Sequence, residues 1–270
     1  MANASDAVFA GSVPQLYEQY LVPLIFQPYA DDVARRAAAL APARVLETAC
    51  GTGVVTRALS RALPATVDIL ATDLNPPMLE RAQAIGTSRP VRWQQADAQE
   101  LPAQDNAFDV VVCQFGAMFF PDKVRAFREA HRVLRPGGTF IFNVWGRIEE
   151  NEFADVVTET VSQRHADNPP RFLARTPHGH YERDPHFDAL RSAGFTNALS
   201  YETVDARSPA ESAQVVAIAY CQGTPLRGEL EKLGADLAEE TAACTAALSA
   251  RFGNGPVDGK IQAHVISARK

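Results

Sequence analysis

Apolar residues recur with two different periods along the first half of the chain. Short continuous apolar runs, typical of strands buried on both faces, alternate with stretches whose apolar residues lie three or four positions apart, as on one face of a helix. The predicted strands are 43–49, 67–73, 91–96, 108–115 and 139–145. Repeated strand–helix units with short connections predict an α/β fold with a parallel, doubly wound sheet.

The regular alternation weakens after residue 146. The pattern there predicts helices, a loop rich in proline and histidine over 168–181, a strand over 196–206 and a last strand over 260–268. The sequence Ser208-Pro-Ala-Glu211 has the form of a capping box, which predicts that a helix begins there. Pro14 to Ala30, rich in Tyr, Leu and Phe, predicts a helical lid or packing element.

Composition narrows the class of protein. The 270 residues are 46% hydrophobic and 21% charged, with a formal net charge of −6, which is ordinary for a globular protein and gives little support for a nucleic-acid groove. The four cysteines form no CxxC pair, so reduced thiols in a cytoplasm are expected. No signal-peptide pattern or membrane-spanning apolar run is present, which also predicts a cytoplasmic location.

Polar residues stand at the carboxyl ends of four predicted strands. These residues are Glu47, Asp73, Asp97 and Gln114. Open α/β sheets bind ligands at that edge, near the point where the strand order reverses. Gly51 and Gly53 let a ligand approach the backbone closely, and Asp73 lies 20 positions after Gly53 (73 − 53), a spacing that suits an acid bound to a ribose diol.

A dinucleotide is the first alternative for that ligand. Its G-x-G-x-x-G fingerprint places a third glycine where this chain has Thr56, and Glu47 would put a carboxylate just before the phosphate site. A carboxylate there favours a ligand that carries a cation, such as an amino acid ammonium joined to a ribose and a base. S-adenosylmethionine has those parts.

Five motifs, in order, carry a resemblance to a known family. They are V-L-E-T-A-C-G-T-G over 45–53, Asp73-Leu74 with Met78, Ala96-Asp97-Ala98, F-D-V-V-V-C-Q over 108–114 and V-L-R-P-G-G over 133–138. With them the chain resembles the class I S-adenosylmethionine-dependent methyltransferases of the small-molecule, ubiquinone/menaquinone-biosynthesis-like branch (methyltransferase type 11). One departure is Ala49, which stands where the family usually has the first glycine of the loop.

The resemblance implies a role in cofactor binding for each motif residue. Glu47 would face the methionyl ammonium, Asp73 would hold the ribose hydroxyls and Gln114 would lie beside the sulfonium. The remaining roles are backbone contact by Ala49, Gly51 and Gly53, contact with the faces of the adenine by Leu74 and Met78, and recognition of its edge by Asp97 and Ala98. Taken singly, Asp73 and Asp97 could instead cap turns, and Met78 could fill the core.

The resemblance also implies a Rossmann-like, seven-stranded, mostly parallel sheet whose last strand is antiparallel. We therefore expect a helical lid or packing segment over 1–40 and an S-adenosylmethionine-binding core over 41–146. A helical cap with the final two strands of the same sheet would follow over 147–270.

Candidates for acid–base chemistry are weaker. Tyr20, beside Tyr17 on the N-terminal segment, could line the acceptor site, and His178 and His180 could supply a base from the loop, although an ordinary polar loop is the simpler interpretation. A metal site built from His178, His180 and His186 lacks the helical spacing of zinc ligands, so no metal is expected.

The predicted function is methyl transfer in line from S-adenosylmethionine to a small-molecule acceptor, with S-adenosylhomocysteine as the product. The motif that cradles a flipped base in nucleic-acid methyltransferases is replaced by Cys113-Gln-Phe-Gly116, which argues against nucleic acid. A protein of this fold that binds the cofactor or its product without catalysis is the alternative, and a dehydrogenase is a more distant one. The oligomeric state is open, with a homodimer among the options.

Overall fold

Seven strands form a single sheet in the computed structural model, which describes residues 13–270. The strands are β1 (Arg44–Glu47), β2 (Asp68–Asp73), β3 (Arg92–Gln95), β4 (Phe108–Gln114), β5 (Leu134–Trp145), β6 (Asn197–Ala210) and β7 (Val257–Arg269). Their order across the sheet is β3-β2-β1-β4-β5-β7-β6. All seven predicted strands are present, and the doubly wound α/β fold is confirmed.

The order of the strands reverses between β1 and β4. From β1 the chain moves outward to β2 and β3, then returns to β4 on the other side of β1 and continues to β5, and these neighbouring pairs are parallel. The carboxyl ends of β1 and β4 therefore flank the switch point at which folds of this class bind ligands.

The last strand runs antiparallel to β5, as expected. The N–H of Gly146 donates to the carbonyl of Gln262, and Gly138 accepts from the N–H of Lys270, so residue numbers rise along one strand as they fall along the other. Gly137 N–H also donates to the Lys270 carbonyl. Strand β5 begins at Leu134, five residues before the predicted strand 139–145.

Eleven α-helices and one π-helix are found among residues 13–270. They are α1 (Val13–Leu16), the π-helix (Tyr17–Phe26), α2 (Gln27–Ala39), α3 (Val54–Ala62), α4 (Pro76–Ile85), α5 (Lys123–Val133), α6 (Glu152–Arg164), α7 (Phe172–Arg175), α8 (Arg183–Ser192), α9 (Ala213–Gly223), α10 (Leu226–Lys232) and α11 (Leu237–Phe252). None of these described helices is both long and apolar enough to cross a membrane.

The chain divides into two compact units. The core unit comprises Gln27–Val144, Glu182–Thr203 and His264–Lys270, and the helical unit comprises the described residues up to Phe26 together with Trp145–Tyr181 and Val204–Ala263. In the core unit, Phe127 of α5 packs its ring against Phe140 and Phe142 of β5, with centroids 5.4 and 5.0 Å away. The division at residues 40 and 146 expected from the sequence stays a prediction.

Two local predictions differ from the structure. The capping box at residue 208 does not begin a helix, because β6 continues to Ala210 and the buried hydroxyl of Ser208 donates to the carbonyl of Leu24 at 2.8 Å. Helix α9 is capped by Ser212, whose hydroxyl accepts the N–H of Val215. The N-terminal helical segment is present, but its middle ten residues form a π-helix with Pro23 inside it, which the apolar pattern did not indicate.

Candidate functional site

Strand β1 ends in a carboxyl group that is closed off from solvent. Glu47 is 1% exposed, and its Oε2 accepts a hydrogen bond of 2.6 Å from the hydroxyl of Thr56 on α3. Burial raises the pKa of Glu47 to about 8, and the negative charge of Asp73 acts in the same direction. At neutral pH this group is therefore largely protonated, and it would ionise readily if a cation came beside it.

The loop between β1 and α3 turns through three residues in the left-handed region. Ala49, Gly51 and Gly53 have φ values of 52°, 56° and 84°. A Cβ on Gly53 would lie only 3.0 Å from the ring of Trp93 and 3.2 Å from the Cβ of Ala82, so a side chain there would have to displace its neighbours. Ala49 adopts its conformation despite having a Cβ, at a steric cost that glycine would not have.

Asp73, the last residue of β2, joins this loop to its own strand. Its Oδ2 accepts the N–H of Gly51 at 2.8 Å, and its Oδ1 accepts the N–H of Asn75 at 2.8 Å. Burial raises the pKa of Asp73, while these backbone N–H groups act against the rise. Nδ2 of Asn75 also lies 3.5 Å from Oδ1, but Oδ2 can accept a further hydrogen bond, so the turn-capping role does not prevent contact with ribose hydroxyls.

The residues expected around the adenine differ in exposure. Leu74 is 51% exposed, an unusual position for a large apolar side chain next to a buried acid, whereas Met78 is 3% exposed in the first turn of α4. Asp97 is partly exposed, and its Oδ1 accepts the N–H of Gln99 at 2.8 Å, with Ala98 partly exposed beside it. Leu74 is thus exposed enough to cover a flat ligand, while the burial of Met78 is compatible both with a role below the adenine and with simple packing in the core.

The end of β4 contacts the loop after β1 across the switch point. Gln114 is buried, and Phe115, which follows it, has a left-handed φ of 50°. The N–H of Phe115 donates to both the carbonyl and the Oδ1 of Asn143 on β5, at 3.2 and 2.9 Å. A Cβ on Gly116 would lie 2.5 Å from the Cβ of Ala49, so the two turns leave no room for one.

Three residues that position this site were not identified from the sequence. Thr56 holds Glu47, the ring of Trp93 packs over Gly53, and Asn143 holds Phe115. Asn143 did carry a signal, because it is the polar residue in the apolar run 140–145. The roles of Thr56 and Trp93 depend on distant contacts and had no comparable local signal.

The ten residues expected to bind the cofactor all belong to the core unit, whereas the three acid–base candidates belong to the helical unit. Tyr20 lies in the π-helix and is partly exposed, as is His180. His178 is buried, and its Nδ1 lies 3.0 Å from the carbonyl oxygen of Gly146.

The cysteines do not have the surroundings of a nucleophile. All four are free and buried. Burial raises the pKa of Cys50 well above its ordinary value and that of Cys113 to about 11, so both thiols stay protonated. Within residues 13–270, no group of three or more His, Cys, Asp or Glu side chains is placed to hold a metal ion.

The geometry of the core unit fits S-adenosylmethionine. A buried carboxyl that a cation would ionise ends β1, and the N–H of Gly51, in the loop that follows, donates to Asp73. An acid with spare hydrogen-bonding capacity and an exposed apolar side chain, Asp73 and Leu74, follow on the neighbouring strand. These groups match the ammonium, ribose and adenine parts of that cofactor.

Comparison with known proteins supports the same conclusion. Residues 46–142 match the family model described as "Methyltransferase domain". The chain is 30% identical over 179 residues to the ubiquinone/menaquinone biosynthesis C-methyltransferase UbiE of Citrobacter koseri, covering 58% of this chain and 68% of that protein. The UbiE protein of Idiomarina loihiensis is 38% identical over 124 residues, covering 44% of this chain and 46% of that protein. The chain spans about half the length of the first curated relatives it matches.

Solved structures show the fold more broadly. The phospholethanolamine N-methyltransferase 2 of Haemonchus contortus, in complex with phosphomonomethylethanolamine and S-adenosylhomocysteine, aligns with a TM-score of 0.58 at 16% identity, over 95% of this chain and 56% of that one. The [4+2]-cyclase SpnF aligns with a TM-score of 0.51 at 20% identity, over 91% of this chain and 83% of that one. At these identities the likeness concerns the fold alone.

Proposed function

We propose that this chain, which belongs to the class I S-adenosylmethionine-dependent methyltransferases, transfers a methyl group from S-adenosylmethionine to a small-molecule acceptor. The relatives named for ubiquinone and menaquinone biosynthesis support the reaction class, and their partial overlap with this chain leaves the acceptor to be found. The net charge of −6, without a basic run, favours a small molecule over a nucleic acid as the acceptor.

One observation carries the proposal more than any other: the carboxylate of Asp73 bonds the Gly51 N–H while the apolar side chain of Leu74, the next residue, is half exposed. An acid that holds a glycine loop, next to an exposed apolar side chain at the carboxyl edge of a parallel sheet, is an arrangement for a ribose and a flat base.

The residues of the core unit would divide the binding of the cofactor among them. Glu47 would accept the ammonium, and the backbone from Ala49 to Gly53 would lie against the methionyl and ribose parts. Asp73 would accept the ribose hydroxyls. The adenine would lie between Leu74 and the segment of Asp97 and Ala98, with Met78 supporting it from the core, and Gln114 would face the sulfonium.

When bound, S-adenosylmethionine supplies a methyl group that is already electrophilic. The chain therefore has to align the acceptor atom with the sulfur–methyl bond and exclude water, and a strong base is needed only for acceptors of low acidity. Gln114 can serve this alignment because its side chain is buried at the end of β4, beside the turn that Asn143 holds.

Calorimetric titration with S-adenosylmethionine, S-adenosylhomocysteine and NADH tests the cofactor assignment. We expect binding of both adenosyl ligands and none of NADH. The variant Asp73→Asn, which keeps one oxygen for a backbone N–H but loses the charge, should bind about 10- to 100-fold more weakly. Asp68→Asn at the opposite end of β2, where the side chain is 41% exposed and pairs with Arg92, is the matched control and should bind normally.

A second assay separates an enzyme from a non-catalytic binding protein of the same fold. We consider that alternative because SpnF, whose fold is similar to that of this chain, is named as a [4+2]-cyclase and not as a methyltransferase. Incubation with S-adenosylmethionine labelled on the methyl group and a panel of small acceptors should give a labelled product. Binding without any labelled product across phenol, amine, thiol and carbon-acid acceptors would favour the binding protein, and absence of binding would overturn the assignment of the site.

A further inference from the structure

The segment that follows β3 forms a turn around a carboxylate. Oδ1 of Asp97 accepts the backbone N–H of Gln99 at 2.8 Å, and the carbonyl of Asp97 accepts the N–H of Glu100 at 3.0 Å. An aspartate side chain that bonds the backbone two residues later is a common way of closing a turn. The turn 97–100 therefore fixes the backbone of Asp97, the residue expected to read the edge of the adenine.

The side chain of Gln99 also lies across the carboxylate of Asp97. Its Nε2 is 3.3 Å from Oδ1 and 3.3 Å from Oδ2. The orientation of the amide follows from its other atom, Oε1, which accepts the backbone N–H of Asp122 at 3.1 Å, because an N–H can only donate. Gln99 thus directs a hydrogen-bond donor at both oxygens of Asp97.

Gln99 is in turn fastened to α5. Asp122 is the N-cap of that helix, where its side chain accepts the N–H of Arg125, and Nε of Arg125 donates to the carbonyl of Gln99 at 3.0 Å. Further along the helix, Oε2 of Glu129 accepts the N–H of Leu101 at 2.8 Å. The amide that faces Asp97 therefore belongs to a turn held on a helix of 11 residues, all within the core unit.

The other end of this segment is joined to the end of β2. The N–H of Ala96 donates to the carbonyl of Asp73 at 3.0 Å, and Nε2 of Gln95 donates to the carbonyl of Leu74 at 3.1 Å. Asp73 and Leu74 are the residues expected to hold the ribose and to cover the base. Because Asp97 directly follows Ala96, its carboxylate belongs to the same edge of the sheet as these two residues.

The carboxylate of Asp97 retains the capacity to accept a hydrogen bond from a ligand. Within residues 13–270, Oδ1 accepts two hydrogen bonds and Oδ2 accepts only the 3.3 Å bond from Gln99, whereas a carboxylate has about four acceptor sites. The residue is also partly exposed. A 6-amino purine offers an N–H that this carboxylate could accept, whereas a 6-oxo purine would place a carbonyl oxygen against it.

We propose that Gln99 is a positioning residue for the base of the cofactor. Its amide holds the carboxylate of Asp97 in the orientation that accepts the 6-amino group of adenine, and so sets the preference of the site for a 6-amino over a 6-oxo purine. The inference rests on the proposed function, because it requires that the site bind S-adenosylmethionine. Without the amide, the carboxylate keeps only its bond to the backbone and can rotate about its Cβ–Cγ bond, so the bond to the base loses its fixed direction.

Two ligands that differ at one edge of the purine test the proposal. S-adenosylhomocysteine and its 6-oxo analogue, S-inosylhomocysteine, are titrated calorimetrically into the full chain. The wild type should bind the adenosyl ligand about 10- to 100-fold more tightly, because the 6-oxo group offers the carboxylate no hydrogen. Asp97→Asn, whose amide can turn its nitrogen toward a 6-oxo group, should lower this ratio.

Substitutions of Gln99 separate its action on Asp97 from its role in holding the turn. In Gln99→Glu an oxygen can still accept the N–H of Asp122, but the donor to Asp97 is lost and a like charge takes its place. Gln99→Met, of similar length, loses both contacts. We expect the ratio of affinities to fall about fivefold or more in both variants. Gln94→Glu, which adds the same charge at an exposed position of β3, is the matched control and should keep the wild-type ratio.

A purely structural Gln99 would weaken the binding of both ligands by the same factor, mostly in the Met variant, and would leave their ratio unchanged. That result, or equal binding of the two ligands by the wild type, would overturn the proposal. The titration of the wild type with S-adenosylhomocysteine is read separately. Absence of binding there would remove the proposed function, whereas normal binding with an unchanged ratio in the Gln99 variants would remove only the role of Gln99.

Discussion

Thr56 on α3 donates its hydroxyl hydrogen to Oε2 of Glu47 on β1, across 2.6 Å, in a position that solvent does not reach. The pair connects the first strand of the sheet to the first helix, directly behind the glycine-containing loop. Burial keeps the carboxyl protonated up to about pH 8, so the site before binding holds a neutral acid where the cofactor would bring a cation. Two predictions depend on this state.

The first prediction concerns how the stability of the folded protein depends on pH. The folded pKa of Glu47 is about 8 and its ordinary value is 4.5, so between these pH values the folded state binds a proton that the unfolded state has released. Stability from this group is present at low pH and is lost as the pH rises toward 8. Glu47→Gln, which mimics the neutral acid, should therefore be more stable than the wild type by a few kcal/mol at pH 8.5, since each pKa unit corresponds to about 1.4 kcal/mol.

Urea unfolding at pH 5 and pH 8.5 measures the effect. The difference between Glu47→Gln and the wild type should be small at pH 5 and large at pH 8.5. Glu80→Gln, at an exposed position on α4 in the same unit, is the control and should show no growing difference. A constant difference at both pH values would mean that Glu47 is ionised in the folded protein.

The second prediction concerns cofactor binding. If Glu47 binds the ammonium of S-adenosylmethionine, the Glu47 carboxyl must be ionised in the complex. Because this carboxyl is mostly protonated below pH 8, binding there must release its proton. Affinity should then rise with pH between 6 and 7.5, by up to about tenfold per pH unit, until the amino group of the ligand itself begins to lose its proton near pH 8.

Calorimetry in two buffers of different ionisation enthalpy, at pH 7, counts the released protons directly. The wild type should release close to one proton, and Glu47→Gln should release none and bind more weakly. Release of a full proton by the Gln variant would assign the linkage to another group.

The third prediction concerns the contact between the turns after β1 and β4. A Cβ on Gly116 would lie 2.5 Å from the Cβ of Ala49 and 2.8 Å from Sγ of Cys113, so Gly116→Ala should destabilise the protein by about 1–3 kcal/mol. Adding Ala49→Gly removes the clash with the Cβ of Ala49. It also replaces an alanine in the left-handed region by glycine, which adopts that conformation without steric cost. The double variant should recover part of the loss, which a double-mutant cycle measures as a coupling energy.

Gly228→Ala on α10 is the matched control. A Cβ at that position meets no atom within 4 Å, and the residue lies inside a helix, so the substitution should stabilise the protein by about 0.5–1 kcal/mol. If Ala49→Gly gave no recovery in the presence of Gly116→Ala, the clash with Cys113 alone would account for the loss.

The fourth prediction concerns Asn143. Its side-chain oxygen holds the N–H of Phe115 in a left-handed conformation that costs a bulky residue energy. Asn143→Ala leaves that N–H with only the longer bond to the backbone carbonyl, and we expect a loss of about 1–3 kcal/mol in denaturant unfolding. Asn254→Ala, at an exposed position before β7, should change stability by less than about 0.5 kcal/mol.

Asn143 also has a buried Nδ2 for which the described residues offer no hydrogen-bond partner. If the oxygen of Asn143 acts mainly on the turn that follows Gln114, the Ala variant should weaken cofactor binding as well as stability. Unchanged affinity for S-adenosylhomocysteine in a destabilised Asn143→Ala protein would confine the residue to a role in folding.

The architecture, and the edge of the sheet at which the candidate site lies, could be predicted before any contact was known. Strands β1 to β4 lie within two residues of the segments predicted for them. For β1, β2 and β4 the reason is that a strand covered on both faces needs an uninterrupted apolar stretch, whatever its neighbours are. Strand β3, at the edge of the sheet, is polar and largely exposed. The positions of Glu47, Asp73 and Gln114 could be predicted as well. Each is the last residue of a parallel strand, and the last residues of parallel strands lie at the carboxyl edge of the sheet. These inferences require only local pattern and chain order.

The conformation and protonation of individual residues, in contrast, depend on contacts between segments far apart in the chain. Ser208 had a capping sequence and no helix to cap, because the pairing of β6 continued past it. Strand β5 begins five residues earlier than its apolar run because Leu134 pairs with Phe108 of β4, and because Lys270, directly after β7, hydrogen-bonds to Gly137 and Gly138. The protonation of Glu47 and the left-handed conformation of Phe115 follow from burial and from partners distant in sequence, and such long-range contacts leave no periodic trace in the chain.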